Sequence, residues 1–243
     1  MITDGFRAQQ AVQTALWQRH NSQIDYLVVS HADTDHFNGV PGLLKSVVVG
    51  KLAVSEPFRR STQSGVTEVL ETDRGYDVPE LVLKQGDEIP IDDQIRVTVL
   101  HPGERWSASD NPNSIVLMIE YADRRILLTG DLEHEGTYAL IEQPIDKVDV
   151  MLAPHHGSPT ANPRSITEWA NPQFAIISTG RRNTSKRLSS LYPEHTKLLS
   201  TVESGAITFE IDNDGSMTCH SYVDGAVAVD SLPEQDRTSM NAQ

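Results

Sequence analysis

The sequence predicts a mixed, layered α/β domain, because short apolar strand patterns occur both in runs and in alternation with helical patterns. Hydrophobic residues make up 38% of the 243 residues and aromatic residues only 6%, so the core must consist mainly of Val, Ile, Leu and Ala. A chain of this length can bury a substantial core, as one large domain or as two small ones. We expect one domain over residues 1–229 and a disordered polar tail over residues 230–243.

The individual elements follow from the spacing of apolar residues along the chain. Helical spacing predicts helices over residues 7–20, 39–44, 61–73, 133–142, 164–170 and 194–203. Apolar runs or alternation predict strands over residues 23–30, 46–54, 81–83, 95–100, 114–121, 125–128, 148–153, 174–178, 206–211 and 216–223. The turn sequences at residues 122–124 and 212–215 predict that the strands on either side of each are joined directly.

Composition and charge limit the classes of function. No apolar run approaches the roughly 18–20 residues of a membrane span, and the first residues lack the basic flank and apolar segment of a secretory signal. A net charge of −14 opposes binding to a polyanion, although bound cations would cancel several carboxylate charges. The dense basic patch at Arg181-Arg182 and Lys186-Arg187 is either a solvated loop or a phosphate contact. The single cysteine, Cys219, is expected to be a buried small side chain rather than a ligand.

The most informative stretch is residues 31–36, which directly follow an apolar strand pattern and contain four potential metal ligands: His31, Asp33, Asp35 and His36. Imidazole nitrogen and carboxylate oxygen bind zinc and harder ions such as manganese. An extended backbone would place the first three on one side, and coiling after Asp33 would bring His36 back to them. One such loop can serve two adjacent ions. The alternative is a polar loop with capping aspartates, although a cap needs one such residue rather than four.

Two further polar clusters also follow apolar runs. Asp131, after Gly130, is the candidate for a carboxylate that bridges two ions, and it is alternatively the N-cap of the next helix. Either His155 or His156 can supply a further imidazole, and the other would be a proton donor or an outer partner. Asp35 and His156 are the candidate catalytic residues. Two ions about 3.5–4 Å apart acidify a bridging water, which suits the hydrolysis of phosphoesters.

The remaining polar candidates have structural explanations. We favour a structural turn for His101-Pro102-Gly103, whereas Asn111 and Asn113 either form a turn or reach the metal site. The other histidines are expected to be surface or packing residues: His20, His134, His195 and His220.

The ordered set of motifs resembles the metallo-β-lactamase superfamily. Residues 31–36 are similar to its signature loop, His-x-His-x-Asp-His, with Asp33 in the position of the second histidine. Together with residues 111–117, 127–131 and 154–158, this variant resembles the C-terminal domain of ComEC-type DNA-uptake competence proteins. The resemblance extends over roughly residues 24–211.

The resemblance implies an αββα four-layer sandwich that holds two divalent metal ions, zinc or manganese, at the edge of its two sheets. It implies that the ligands are His31, Asp33, Asp35, His36, Asp131 and one of His155 and His156, with Asn111 as a possible ligand where many members carry another histidine. It also implies a nuclease or phosphodiesterase that acts on DNA during uptake. The alternatives are hydrolysis of another ester (a lactone, thioester or phosphocholine ester) and a catalytically impaired interaction module.

The chain departs from the family pattern in three places. Ala153 stands where members carry a lysine, and a later Asn-x-Tyr-x-His-Pro pattern is echoed only by Asn183 and Tyr192-Pro193. We expect the chain to lack the family's opening strands and its sheet to be incomplete. A membrane channel is expected as a fusion or partner. The chain itself is expected to be soluble and cytoplasmic as written, with a membrane-associated or extracytoplasmic site if its parent resembles these proteins.

Overall fold

The computed structural model describes residues 4–180, 184–223 and 225–229. The basic residues Arg181 and Arg182, Asn183 and the predicted tail over residues 230–243 lie outside the described residues. The helices are α1 Asp4–Gln18, α2 Thr34–Phe37, α3 Val40–Leu44, α4 Glu56–Arg60, α5 Ser64–Gly75, α6 His134–Ile141, α7 Pro154–Gly157, α8 Arg164–Ala170, α9 Thr184–Leu188 and α10 Thr201–Ser204, with a 3-10 turn at Asn111–Asn113.

The strands alternate with these helices, as the sequence predicts. They are β1 Gln23–Val28, β2 Val48–Ser55, β3 Glu80–Leu83, β4 Glu88–Pro90, β5 Arg96–His101, β6 Val116–Tyr121, β7 Arg124–Leu128, β8 Val150–Leu152, β9 Phe174–Ile177, β10 Lys197–Ser200, β11 Ile207–Ile211, β12 Met217–Ser221 and β13 Gly225–Val229. In the described residues they form three sheets, with the orders β1-β2-β3, β10-β9-β8-β7-β6-β5-β4 and β11-β12-β13.

The described chain divides into two compact units. Of the described residues, the first unit comprises those up to Glu88, Thr98–Leu117 and Thr129–Gln143, and the second comprises Ile89–Val97, Met118–Leu128 and those from Pro144 onward. In the first unit β1, β2 and β3 pair in parallel. Aliphatic side chains and Phe37 and Phe58, whose ring centroids lie 6.1 Å apart, build its core beside this sheet. The parallel pairing explains the near-continuous apolar run of β2, since residues 52–55 are all buried.

In the second unit, β7, β8, β9 and β10 pair in parallel, while β11, β12 and β13 pair antiparallel. Cys219 on β12 is 3% exposed and packs in a cluster with Val150, Phe174 and Met217, which confirms the prediction of a buried small side chain. Arg124 is also buried and donates to Asp149 Oδ1 at 2.9 Å and to the carbonyl of Gly215 at 2.6 Å. Buried charge is therefore paired and hydrogen-bonded, as burial requires.

One predicted element is wrong. The helical spacing of residues 194–203 predicts a helix, but Lys197–Ser200 forms β10, and only residues 201–204 are helical. The reason is tertiary: Leu198 and Leu199 pair in parallel with Ala175 and Ile176 of β9, so sheet pairing outweighs local spacing. Several short elements were not predicted, among them α4, α9, β4 and β13, because each is too short to show a clear period.

Candidate metal centre

The first polar cluster follows β1 directly. The chain leaves the sheet after Val29, whose N–H donates to the carbonyl of Ala53 at 2.9 Å, and reaches His31, which is 1% exposed. Asp33 then caps α2, because its Oδ1 accepts the N–H of Thr34 at 2.6 Å. This single helical turn is the coil that the sequence requires to bring His36 back, and it places the His31 and His36 ring centroids 4.2 Å apart.

The second cluster reaches the same place within the first unit. Asp131 is 4% exposed, and its Oδ1 lies 3.3 Å from Nε2 of His36. Nitrogen and oxygen atoms of His31, His36 and Asp131 all lie within 4.8 Å of one another. We call these three residues the buried triad. Two sequence-predicted clusters, about a hundred residues apart, therefore converge on one point.

A glycine makes this convergence possible. Gly130 has a φ of +54°, and a Cβ built on it would lie 3.1 Å from the Cβ atoms of both Ser30 and Ser114. The close backbone approach that the sequence predicts for Gly130 is therefore required here. Next along the chain, the N–H of Asp131 donates to Oγ of Ser114 at 3.2 Å, which fixes the backbone that carries the carboxylate. Helix α6 has Glu133 as its N-cap, so Asp131 does not cap that helix.

Ser30 orders the two imidazoles of the triad. Its Oγ lies 3.0 Å from Nδ1 of His31 and 3.2 Å from Nδ1 of His36. A hydroxyl oxygen has two lone pairs, so it can accept an N–H from both Nδ1 atoms. In that arrangement Nε2 of His31 carries a lone pair, which is the form of histidine that binds a metal, whereas Nε2 of His36, 3.3 Å from Oδ1 of Asp131, would give up its proton when an ion binds. Ser30 has no motif of its own, so its role could not be predicted from the sequence.

The electrostatics of the triad also favour a cation. Burial, together with the charge of His36, lowers the pKa of His31 to about 4, so this imidazole is neutral and able to bind a metal at neutral pH. Burial lowers the pKa of His36, but the hydrogen bond and the negative charge of Asp131, with Asp35 beside it, outweigh burial and raise that pKa. A positive charge is thus stabilised among these carboxylates.

The buried triad has the donor atoms that a divalent ion needs. Nε2 of His31 is buried, and no hydrogen-bond partner for it occurs within residues 4–180, 184–223 and 225–229. Leaving a buried polar atom without a partner is costly, and a metal bond at that atom would remove the cost. Two imidazoles and one carboxylate form a donor set used by zinc and by other first-row metals.

The other predicted ligands of the first unit have contacts of their own. Asp35 is exposed, and its Oδ2 lies 3.8 Å from Nε2 of His36. Asp33 is exposed and serves as a cap, so the alternative of a capping aspartate is correct for this one residue. Nδ2 of Asn111 donates to Oε1 of Glu133 at 3.1 Å. The amide of Asn113 is bonded to backbone atoms of Ser107 and Ser109, which makes it a structural turn residue.

The remaining histidines agree with their structural explanations. His101 is 3% exposed, and its Nδ1 donates to the carbonyl of Ser114 at 2.9 Å, while burial lowers its pKa. His220 lies 3.1 Å from Glu210 on strands of the second unit. His20, His134 and His195 are exposed. Of the basic patch, Lys186 and Arg187 are exposed.

The third cluster is a tight turn in the second unit, at the end of β8. His155, His156 and Gly157 have φ values of 48°, 52° and 75°, so three successive residues adopt the left-handed conformation. For histidine this conformation is uncommon, and such residues concentrate at functional sites. Nδ1 of His156 lies 2.9 Å from the carbonyl of Ser178. A carbonyl only accepts, so Nδ1 carries the proton and Nε2 carries the lone pair.

Comparison with known proteins agrees with these observations. The family model of the metallo-beta-lactamase superfamily matches residues 5–181, and the chain belongs to this superfamily. The predicted fold class, the metallo-β-lactamase fold, is thereby confirmed. The family implies divalent metal binding, and its members are generally metal-dependent hydrolases.

Three curated relatives carry names from competence and recombination. ComE operon protein 3 of Bacillus subtilis is 32% identical over 79% of this chain and 25% of its own length. Recombination protein 2 of Haemophilus influenzae is 27% identical over 68% of this chain and 19% of its own. Competence protein ComA of Neisseria gonorrhoeae is 26% identical over 79% of this chain and 26% of its own length. The resemblance to competence proteins is confirmed, and the chain spans about a quarter or less of each relative.

The metallo-beta-lactamase fold protein YhfI from Bacillus subtilis superposes with a TM-score of 0.47 and 12% identity, over 78% of this chain and 81% of that one. A diphosphatase from the PhnP family gives a TM-score of 0.39 and 14% identity, over 82% of this chain and 75% of that one. Among the residues that the structure describes, no helix has the length and apolar character to cross a bilayer.

Proposed function

We propose that this chain is a metal-dependent phosphodiesterase that cleaves DNA. The observation that carries the proposal is the convergence of His31, His36 and Asp131 around one point, with Nε2 of His31 buried and suited to a metal bond. His31 and His36 would hold the ion through Nε2, and Asp131 would hold it through a carboxylate oxygen. When bound, divalent ions of this kind lower the pKa of a coordinated water and stabilise charge on the attacked centre.

The chain's own residues have defined tasks in this proposal. Ser30, whose Oγ contacts Nδ1 of both His31 and His36, would accept from both Nδ1 atoms and so direct both Nε2 atoms to the ion. Asp131 neutralises positive charge and is the carboxylate that two ions would share. Asp35, exposed beside His36, is the residue of the first loop that can accept or donate a proton to substrate. Asp33 remains a predicted ligand, although its present contact is with the N–H of Thr34.

The contribution of the third cluster stays a prediction. The contact of His156 Nδ1 with the carbonyl of Ser178 favours His156 over His155 as the metal ligand, because it fixes the tautomer in which Nε2 carries the lone pair. His155 would then be the proton donor or outer partner. Asn111, bonded to Glu133, remains a possible ligand only through its amide oxygen.

DNA is proposed as the substrate on two grounds. A pair of divalent ions suits in-line displacement at a phosphodiester, and the curated relatives carry competence and recombination names. We also propose that the chain works beside a membrane channel, as a partner or as part of one protein. The net charge of −14 opposes a polyanion, so bound cations and the basic residues near position 186 would have to offset it.

The test is side-by-side turnover by protein loaded with zinc or manganese. The substrates are single-stranded DNA, a bis-aryl phosphate and a lactone, and the variants are His31→Gln and the exposed control His134→Gln. The proposal predicts cleavage of both phosphodiesters, loss of cleavage in His31→Gln and wild-type cleavage in the control. Faster turnover of the lactone would show that the chain hydrolyses a different class of ester. Less than one bound ion per chain would favour an interaction module.

A further inference from the structure

The left-handed turn at residues 154–158 is held by a buried polar network of the second unit. Asn162 is fully buried, and its Nδ2 donates to the carbonyls of Pro154 at 2.9 Å and Ser158 at 2.8 Å. These two carbonyls stand at the two ends of the turn that carries His155 and His156. One side chain therefore joins the start of the turn to its end.

The orientation of this amide is fixed by Tyr192. The Tyr192 hydroxyl is buried and donates to Oδ1 of Asn162 at 2.6 Å. Carbonyls only accept hydrogen bonds, so Nδ2 must face Pro154 and Ser158, and Oδ1 must face the hydroxyl. Burial raises the pKa of the Tyr192 phenol, which keeps it protonated and able to donate. With three hydrogen bonds and no solvent exposure, the amide has one orientation.

The turn needs such support because its backbone conformation is unfavourable. Left-handed φ values are unfavourable for non-glycine residues such as His155 and His156, and they persist only where the surroundings enforce them. One backbone hydrogen bond of the turn runs from the N–H of Ser158 to the carbonyl of His155 at 2.8 Å. The Asn162 amide adds two bonds that span the whole turn.

The conformation of the turn decides where the imidazole of His156 lies. Its Nδ1 donates to the carbonyl of Ser178, which follows β9, and this bond sets the tautomer of the ring. A turn that relaxed to ordinary backbone angles would move the ring away from Ser178, and the tautomer would no longer be fixed. This series of contacts, from Asn162 through the turn to Ser178, thus links the buried amide of Asn162 to the tautomer of the exposed His156 imidazole.

We propose that Asn162, oriented by Tyr192, is a positioning residue that holds the His155–His156 turn and fixes the tautomer of His156 in which Nε2 carries the lone pair. The proposal rests on the proposed function only for the purpose of that lone pair, which is metal binding. The turn, the amide and the tautomer can be measured without any metal. The two proposals can therefore fail separately.

Two variants separate the parts of the network. Asn162→Asp keeps an acceptor for Tyr192 but cannot donate to Pro154 and Ser158, since an ionised carboxylate has no N–H. Tyr192→Phe keeps both N–H donors of the Asn162 amide but removes the hydroxyl that donates to its Oδ1. The matched control is Tyr121→Phe, because the Tyr121 hydroxyl also donates to an asparagine Oδ1, that of Asn213, elsewhere in the second unit.

The measurement is the tautomer of His156 in the full chain without added metal, read from long-range proton–nitrogen correlations and assigned with His156→Gln. Wild type and Tyr121→Phe are expected to show the Nδ1–H tautomer. Asn162→Asp and Tyr192→Phe are expected to show a mixture, with faster amide exchange at Ser158. Zinc affinity is expected to fall by roughly 10-fold or more in both variants.

Each outcome decides a part of the proposal. An unchanged tautomer in both variants, while they remain folded, would overturn it. A change in Asn162→Asp alone would remove Tyr192 from the network, and an equal change in Tyr121→Phe would show a general effect of hydroxyl loss. Should Asn162→Asp fail to fold, the milder Tyr192→Phe decides. A wild type with the fixed tautomer but no metal binding would contradict the proposed function and leave this inference intact.

Discussion

Nε2 of His36 lies 3.3 Å from Oδ1 of Asp131, and both side chains are largely buried. One residue comes from the helical turn after β1 and the other from the loop after β7, so the chain brings an imidazole and a carboxylate together from opposite ends of the first unit's sequence. Each side chain stabilises the other as an ion pair, and the same atoms can instead bind a cation. The pair is the basis of the predictions for the metal centre.

Asp131→Ala is expected to abolish hydrolysis and to lower metal affinity by more than roughly 100-fold, a larger loss than removal of an outer partner causes. The substitution removes the carboxylate that neutralises the cations, so two ions would repel each other. Isothermal titration with zinc and turnover of a bis-aryl phosphate measure the two effects. The control is Asp146→Ala, whose side chain is 78% exposed. Full activity in Asp131→Ala would refute the bridging role.

Ser30→Ala is expected to lower zinc affinity by roughly 10- to 100-fold without unfolding the protein. The hydroxyl contacts Nδ1 of both His31 and His36, so its loss frees both rings to change tautomer. The effect is measured by zinc titration and by thermal unfolding. Ser46→Ala, which removes a hydroxyl bonded to the carbonyl of Gly42, is the control. Equal zinc affinity in the two variants would exclude an ordering role for Ser30.

Gly130→Ala is expected to destabilise the fold by about 1–3 kcal/mol and to weaken metal binding. Its φ of +54° strains any side chain, and the new Cβ would press on Ser30 and Ser114. The matched control is Gly86→Ala, because Gly86 has a φ of +90° but no atom within 4 Å of the added Cβ. Denaturant unfolding of both variants separates backbone strain from crowding. Equal losses in the two would show that crowding at Gly130 is unimportant.

We expect the buried carboxyl of Asp73 to make the free energy of unfolding depend on pH. It is 1% exposed on α5, and burial, with the charge of Glu80 nearby, raises its pKa from 3.8 to about 6. The folded state therefore binds a proton that the unfolded state releases between about pH 4 and pH 6. The stabilising contribution of that proton is present at pH 4 and is lost as the pH rises through 6.

Asp73→Asn removes this titration. Relative to wild type, the free energy of unfolding of the variant is expected to increase by on the order of 2 kcal/mol between pH 4 and pH 6. Above pH 6 the difference is expected to stay constant. Chemical unfolding at pH 4, 5, 6 and 7.5 measures it, with the exposed Glu71→Gln of the same helix as the control. A difference that is independent of pH would mean that Asp73 titrates normally.

Much of the first unit's candidate site could be predicted from the sequence because its signals are local. Residues 31–36 and 129–131 each follow an apolar strand, and Gly130 marks the close backbone approach that the structure shows. The hairpin turn at Ala122 and Asp123, both with positive φ, follows from turn chemistry. Such features depend on a few adjacent residues.

The rest depends on contacts between distant residues, which periodicity does not reveal. Tyr192 and Asn162 are 30 positions apart, and neither carries a motif that predicts their hydrogen bond. The helix expected over residues 194–203 is wrong for the same reason, since the pairing of β10 with β9 decides its structure. Ser30 was missed because a serine before a histidine has many uses, and only the positions of both rings show this one.

The central claim is that His31, His36 and Asp131 hold a divalent ion. Anomalous diffraction at the zinc edge, from crystals of the full chain loaded with zinc, tests it most directly. The account predicts a peak about 2.0–2.2 Å from Nε2 of His31, Nε2 of His36 and a carboxylate oxygen of Asp131. A zinc-loaded crystal with no peak at these three atoms, or with peaks only on surface residues, would contradict it.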